Sequence, residues 1–177
     1  MIVTETPIVG AYLVDIEPSR DERGFFARTY CEREFGALGL VTHFAQCSIS
    51  RNAGRGILRG LHYQAEPHGE TKLARCTHGA VYDVIADLRQ DSPSFLRWAA
   101  FELSSENCRS IYVPPLVAHG FQALTDGAEL FYQISTSYHP ESVRGVRWND
   151  PRLGVKWPIK PPILSARDAS YPDLALP

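Results

Sequence analysis

Short alternating runs, each ended by a turn residue, constrain this chain more than any other feature. They fall at residues 12–17, 44–49, 71–77, 81–88, 98–103, 111–113 and 130–136. Within 81–88, Val81, Asp83, Ile85 and Asp87 share one parity, and Tyr82, Val84, Ala86 and Leu88 share the other. A strand sends successive side chains to opposite faces, so this period reads as strand rather than helix. Turn signals separate the runs: Asn52-Ala53-Gly54, Pro67-His68-Gly69, Pro114-Pro115 and Asp126-Gly127. Many short strands at such spacing predict an all-β sandwich or barrel, and a jelly roll is the natural closed form for this many antiparallel strands. Helix is scarce: residues 30–38 form one candidate, ended by Gly39, and 104–107 a single turn. The proline-rich tail, 157–177, is weakly periodic and predicts an extended segment lying on the body.

The length of 177 residues suits one domain, 1–177, with a core that needs no disulfide or metal. A net charge of −2 argues against nucleic acid as a partner, because phosphate binding shows as a basic excess. Cys31, Cys47, Cys76 and Cys108 form no C-x-x-C pair and read as reduced thiols of a cytoplasmic protein. The first residues lack the basic and apolar regions of a signal peptide, and no apolar run is long enough to span a bilayer. A cytoplasmic location away from membranes is therefore expected.

The most informative stretch is Leu58-Arg59-Gly60-Leu61-His62-Tyr63-Gln64. Histidine is the side chain best poised to take a proton near neutral pH, and arginine suits a phosphate through its planar fork. Arg59 and His62 lie three residues apart, which puts them on opposite faces of a regular strand. Both can serve one site only if Gly60 marks a bulge or bend. Lys72 shares its run with Leu73, Ala74 and Cys76, so it is either on an exposed face or an inward cation for a developing oxyanion. His119 follows the Pro114-Pro115 turn, and Tyr132 sits in an apolar run where packing alone is the commoner explanation.

Together these segments resemble one family. Asp21-Glu22-Arg23-Gly24-Phe25-Phe26, the Leu58–Gln64 stretch, Lys72, Tyr82-Asp83-Val84, Ala118-His119-Gly120-Phe121, Tyr132 and Trp148-Asn149-Asp150-Pro151 run in the order found in dTDP-4-dehydrorhamnose 3,5-epimerases. The resemblance implies a cupin-type jelly roll that works without cofactor or metal, as a homodimer with exchanged N-terminal strands. It implies epimerisation at C3 and C5 of a nucleotide-linked 4-keto-6-deoxyhexose, turning dTDP-4-dehydro-6-deoxy-D-glucose into dTDP-4-dehydro-L-rhamnose. By the same resemblance His62 is the general base, Tyr132 the acid on the opposite face of the sugar, Lys72 the cation at the C4 oxygen and Asp168 the carboxylate that orients His62. Arg59 and Arg23 are implied pyrophosphate ligands, with Arg23 reaching across the dimer. Phe26 and Tyr138 are implied partners of the nucleotide base. Gln46, His119 and Arg167 match further substrate-binding positions.

Three positions depart from the pattern. Arg28 stands where the family often has glutamate, Ser48 where it often has asparagine, and Val143 where an acidic residue is common. All three belong to nucleotide binding rather than to the reacting atoms. They leave open a CDP- or GDP-linked keto sugar, or epimerisation at C3 alone. Other readings are a metal-dependent cupin with His62, His68, Glu70 and His119 as ligands, a non-catalytic sugar-nucleotide binder, and a 3,4-ketoisomerase. The metal reading lacks the usual H-x-H pair, since Tyr63 and Gln64 follow His62.

Overall fold

The computed structural model of the chain describes residues 1–174. The strands are β1 (Ile2–Glu5), β2 (Tyr12–Asp15), β3 (Ser19–Asp21), β4 (Gly24–Phe26), β5 (Gln46–Arg51), β6 (Leu58–Gln64) and β7 (Lys72–His78). They continue with β8 (Ala80–Asp87), β9 (Trp98–Ser104), β10 (Ser110–Val113), β11 (Val117–Ala123), β12 (Glu129–Ile134) and β13 (Val143–Gly145). Two short helices, α1 (Glu32–Ala37) and α2 (Ala166–Ser170), complete the list. One sheet runs β1-β2-β10-β7-β12-β5, the other β13-β6-β11-β8-β9, and β3-β4 is a separate hairpin. Neighbouring strands pair antiparallel throughout these sheets. The expected sandwich is what forms. Among the described residues no helix is long and apolar enough to cross a membrane.

The two parities of β8 explain the layering. Val81 and Ile85 face the other sheet and pack with Ala74, Cys76, Ile111 and Leu130. Val84 and Ala86 face outward, yet they are buried too, under Val146, Leu153, Val155 and Trp157. Within the tail, Trp157, Leu164 and Leu174 pack into this cluster, so these parts lie on the body as expected. Burying each valine, leucine or isoleucine among them stabilises the fold by roughly 1.5–3 kcal/mol. On the outer face of the first sheet, α1 inserts Phe35 against Val14, Leu73 and Tyr112.

Two elements differ from expectation. Every residue of β11 is buried, so it shows no polar alternation to mark it as a strand. The tail is not wholly extended: Ala166–Ser170 is helical, and the Ser165 hydroxyl accepts a hydrogen bond from the Asp168 amide at 3.1 Å as its N-cap.

Candidate active site

A cavity of about 410 Å³ opens between the sheets. Arg59, His62 and His119 line it from the five-stranded sheet, Ser48, Lys72 and Tyr132 from the six-stranded one, and Arg167 and Asp168 from α2.

The β6 irregularity that the sequence demands is present. His119 pairs with His62 but Phe121 pairs with Arg59, so three steps on β6 oppose two on β11. Gly60 sits at this bulge with φ of 127°, a region that disfavours side chains. A Cβ there would come within 2.5 Å of the Gly120 Cα. The bulge turns Arg59 and His62 into the same cavity.

Two histidines in the cavity wall are each held by a carboxylate. His62 Nε2 donates to Asp168 Oδ1 at 2.6 Å, and His119 Nε2 donates to Asp83 Oδ2 at 2.8 Å. Burial pushes the Asp168 carboxyl upward. The His62 hydrogen bond and charge, the Ser165 hydroxyl and the Gly60 amide outweigh burial and hold its pKa below the ordinary value. The Tyr132 ring meets His119 edge-on at 6.0 Å. Burial, with the Asp83 charge adding to it, raises the Tyr132 phenol well above its ordinary pKa, so it stays protonated across the physiological range.

Lys72 does face inward. Its Nζ lies 2.9 Å from Glu70 Oε1 in a largely buried ion pair, and it reaches the His62 carbonyl at 3.4 Å. Arg59 is steadied by Asn52, whose Oδ1 accepts from Arg59 Nε at 2.9 Å. Gln46 and Tyr138 meet each other: Gln46 Oε1 accepts from the Tyr138 amide at 3.0 Å. Neither lines the cavity. Arg167 Nε donates to the Tyr171 hydroxyl at 2.8 Å.

Arg23 and Phe26 stand apart. Both are on the β3-β4 hairpin, away from the cavity, with Arg23 paired to Asp21 and Phe26 81% exposed. Of the three departing positions, only Ser48 lines the cavity. Arg28 pairs with Glu34 at 2.8 Å, and Val143 lies opposite Gln64 on β13. The residue types alone gave Asn52 no role beyond a turn, and Glu70 none beyond a metal ligand. Asp83 carried no role either, although its buried parity with Val81 and Ile85 was a usable signal.

The ligand set of a metal cupin is not gathered. Among the described residues no group of three or more converging ligands includes His62, Glu70 or His119, and Glu70 pairs with Lys72 instead. Among the described residues His68, His139 and Glu141 do come together. The two imidazoles are stacked, however, 3.5 Å apart and 9° from parallel. A metal in the plane of one ring, at about 2.0–2.1 Å from its nitrogen, lies far from the plane of the other.

Comparison with known proteins decides the family. Residues 5–175 match the family model described as dTDP-4-dehydrorhamnose 3,5-epimerase. The chain belongs to the dTDP-4-dehydrorhamnose 3,5-epimerase family. It is 42% identical over 170 residues to the 3,5-epimerase of Pseudomonas aeruginosa, covering 95% of this chain and 93% of that one. The crystal structure of a 3,5-epimerase from Bacillus anthracis with TDP and PPi bound superposes with a TM-score of 0.93 at 41% identity, covering 98% of this chain and 99% of that one. A relative from Streptomyces niveus, 37% identical over 162 residues and covering 91% of this chain and 78% of that one, is named a dTDP-4-dehydrorhamnose 3-epimerase. The epimerase fold here is thus the cupin-type jelly-roll sandwich, and the chain is an isomerase-class enzyme.

Proposed function

We propose that this epimerase inverts C3 and C5 of dTDP-4-dehydro-6-deoxy-D-glucose to give dTDP-4-dehydro-L-rhamnose. The observation that carries the proposal is that His62 and Tyr132 line one cavity from opposite sheets. Epimerisation next to a ketone removes a carbon-bound proton from one face and returns one to the other. It therefore needs a base and an acid on opposite sides. With Nε2 donating to Asp168, the Nδ1 of His62 is the nitrogen left to take the proton. Asp168 then supports the imidazolium that forms. Lys72 carries the positive charge that an enolate oxygen at C4 requires. Tyr132, kept protonated by burial, delivers the returning proton. Proton transfer by a positioned base supplies about 10²–10⁴-fold, and an oxyanion donor about another 10²–10³-fold.

Arg59 and Arg167 would meet the pyrophosphate, with Gln46, Tyr138 and His119 as further substrate contacts. Arg23 and Phe26 complete the nucleotide site from a second copy of the chain, in a homodimer that exchanges N-terminal strands. Their exposure on the hairpin, beside exposed Phe25 and with Ile2 also exposed, supports this arrangement. Mixing the Arg23→Ala and His62→Ala proteins tests it, because one hybrid site would regain both residues and recover turnover. The four unpaired thiols support a reducing, cytoplasmic setting.

The deciding experiment is NMR of dTDP-4-dehydro-6-deoxyglucose with the enzyme in D₂O. Deuterium entering at both C3 and C5 is expected. Entry at C3 alone assigns the 3-epimerase activity named for the Streptomyces niveus relative. No entry with the dTDP sugar, but entry with a CDP or GDP sugar, relocates the substrate.

A further inference from the structure

The Trp148-Asn149-Asp150-Pro151 motif has no part in the cavity, yet Asp150 is almost wholly buried. Its carboxylate is divided between two tasks. Oδ1 accepts from the amides of Arg152 and Leu153, at 2.8 and 3.3 Å, and closes a local turn. Oδ2 points elsewhere and accepts from the amide of Leu174 at 2.6 Å, across 24 positions of sequence. Leu174 lies close downstream of Asp168. Its carbonyl also accepts from Arg152, and its side chain packs into the cluster that holds Trp148 and Trp157.

The segment between these points is a strap over the site. Upstream it is fastened by the Ile57–Ile163 bridge. It then forms α2, too short to hold itself in water, because a helix of one or two turns cannot recover its nucleation cost. Past α2 the Tyr171 ring packs on Gly145, where any Cβ would clash at 2.2 Å, and meets the His62 ring edge-on at 5.7 Å. An exposed Arg147–Asp173 pair at 3.2 Å adds a weaker downstream hold, so loss of the buried Asp150 bond would leave Asp168 held on His62 less firmly.

We infer that Asp150 is a positioning residue, which holds the strap down through Leu174 and so keeps Asp168 on His62. The inference rests on the reading of His62 as the base. It assigns the motif a mechanical task at the reaction centre, with no contact to substrate.

Asp150→Asn is the sharp variant. Its side-chain oxygen can keep the local turn, while its NH₂ group meets the Leu174 N–H donor to donor. Leu174→Pro deletes the same hydrogen bond from the other side and leaves Asp150 intact. Two readouts are needed. In the free enzyme, proton NMR should show the imidazole N–H of His62 far downfield, as befits a short charge-assisted hydrogen bond. Both variants should move it upfield or broaden it, while the N–H of His119 toward Asp83 stays in place. In turnover, both should lose about 10- to 100-fold in kcat with KM within about twofold. In an Asp168→Asn background, neither should cause a further loss, because the group being positioned is already gone. The inference is overturned by an unmoved His62 resonance, by a loss carried in KM, or by losses that multiply independently with Asp168→Asn. The resonance needs no substrate, so it tests the positioning even if the chain acts on another nucleotide sugar.

Discussion

The cavity wall contains the same pair of side chains twice, built in two ways. His119 and Asp83 sit on adjacent strands of one sheet, where β11-β8 register fixes their distance, and their side chains are 3% and 0% exposed. His62 and Asp168 come from a strand and a short helix 106 residues apart, and the imidazole is 34% exposed. A pair fixed by sheet register is rigid and nearly closed to solvent, although His119 still borders the cavity. A pair assembled from a strap keeps an open nitrogen facing the cavity. The second is the one placed to accept a proton from a bound sugar and release it again, so burial separates a pair that holds and touches from the one that reacts.

The strongest way to break this contrast is His62→Ala. Loss of the base should cut kcat by about 10²–10⁴-fold and abolish deuterium entry at C3 and C5, with little change in melting temperature. Turnover near the wild-type rate would end the assignment of His62. Tyr132→Phe should act less completely. The carbon proton can still leave to His62, so exchange persists, but nothing stands on the opposite sheet to return a proton, and inverted product should fall by about 10²-fold. Equal loss of exchange and inversion would mean that Tyr132 shapes the cavity instead.

The buried pair should respond in the opposite sense. Asp83→Ala removes the partner of a histidine whose side chain is almost wholly buried. A buried donor left unsatisfied costs about 1–3 kcal/mol, to be read as a lower urea midpoint with unchanged slope. Among the described residues Asp83 Oδ1 has no hydrogen-bond partner, which makes this carboxylate less well served than Asp168. A variant with normal stability but lost turnover would reverse the roles assigned to the two pairs.

How much of this is legible in sequence follows from the same contrast. Strand period exposes elements with one wet face, such as β12, and hides β11, which is buried on both. The rule that alternate residues share a face makes Gly60 a required bulge before any coordinates exist, because Arg59 and His62 cannot otherwise meet. The pairing of His119 with Asp83 is hidden, since nothing in sequence gives β8-β11 register. Helix α2 is hidden as well. Its few residues carry no periodicity, and its position comes from fastenings on either side, Ile163 on Ile57 and Leu174 on Asp150, rather than from propensity.

A third buried carboxylate refines the comparison through pH. Asp87 ends the strand that carries Asp83, but it accepts from the Arg89 guanidinium and the Ser92 and Ser94 hydroxyls at 2.5–2.8 Å. Burial alone would raise its pKa; these donors overcome it and lower the value from 3.8 to about 2. A carboxyl whose folded value lies below its unfolded one favours the fold when ionised. Its contribution, about 2 kcal/mol, is complete above the ordinary value and disappears as pH falls through the folded one. Wild-type stability should therefore decline between pH 4 and pH 2, with a flatter decline in Asp87→Asn. Asp168, shifted in the same direction, should add a smaller share. An Asp87→Asn protein with the full wild-type acid slope would transfer that share to other carboxylates.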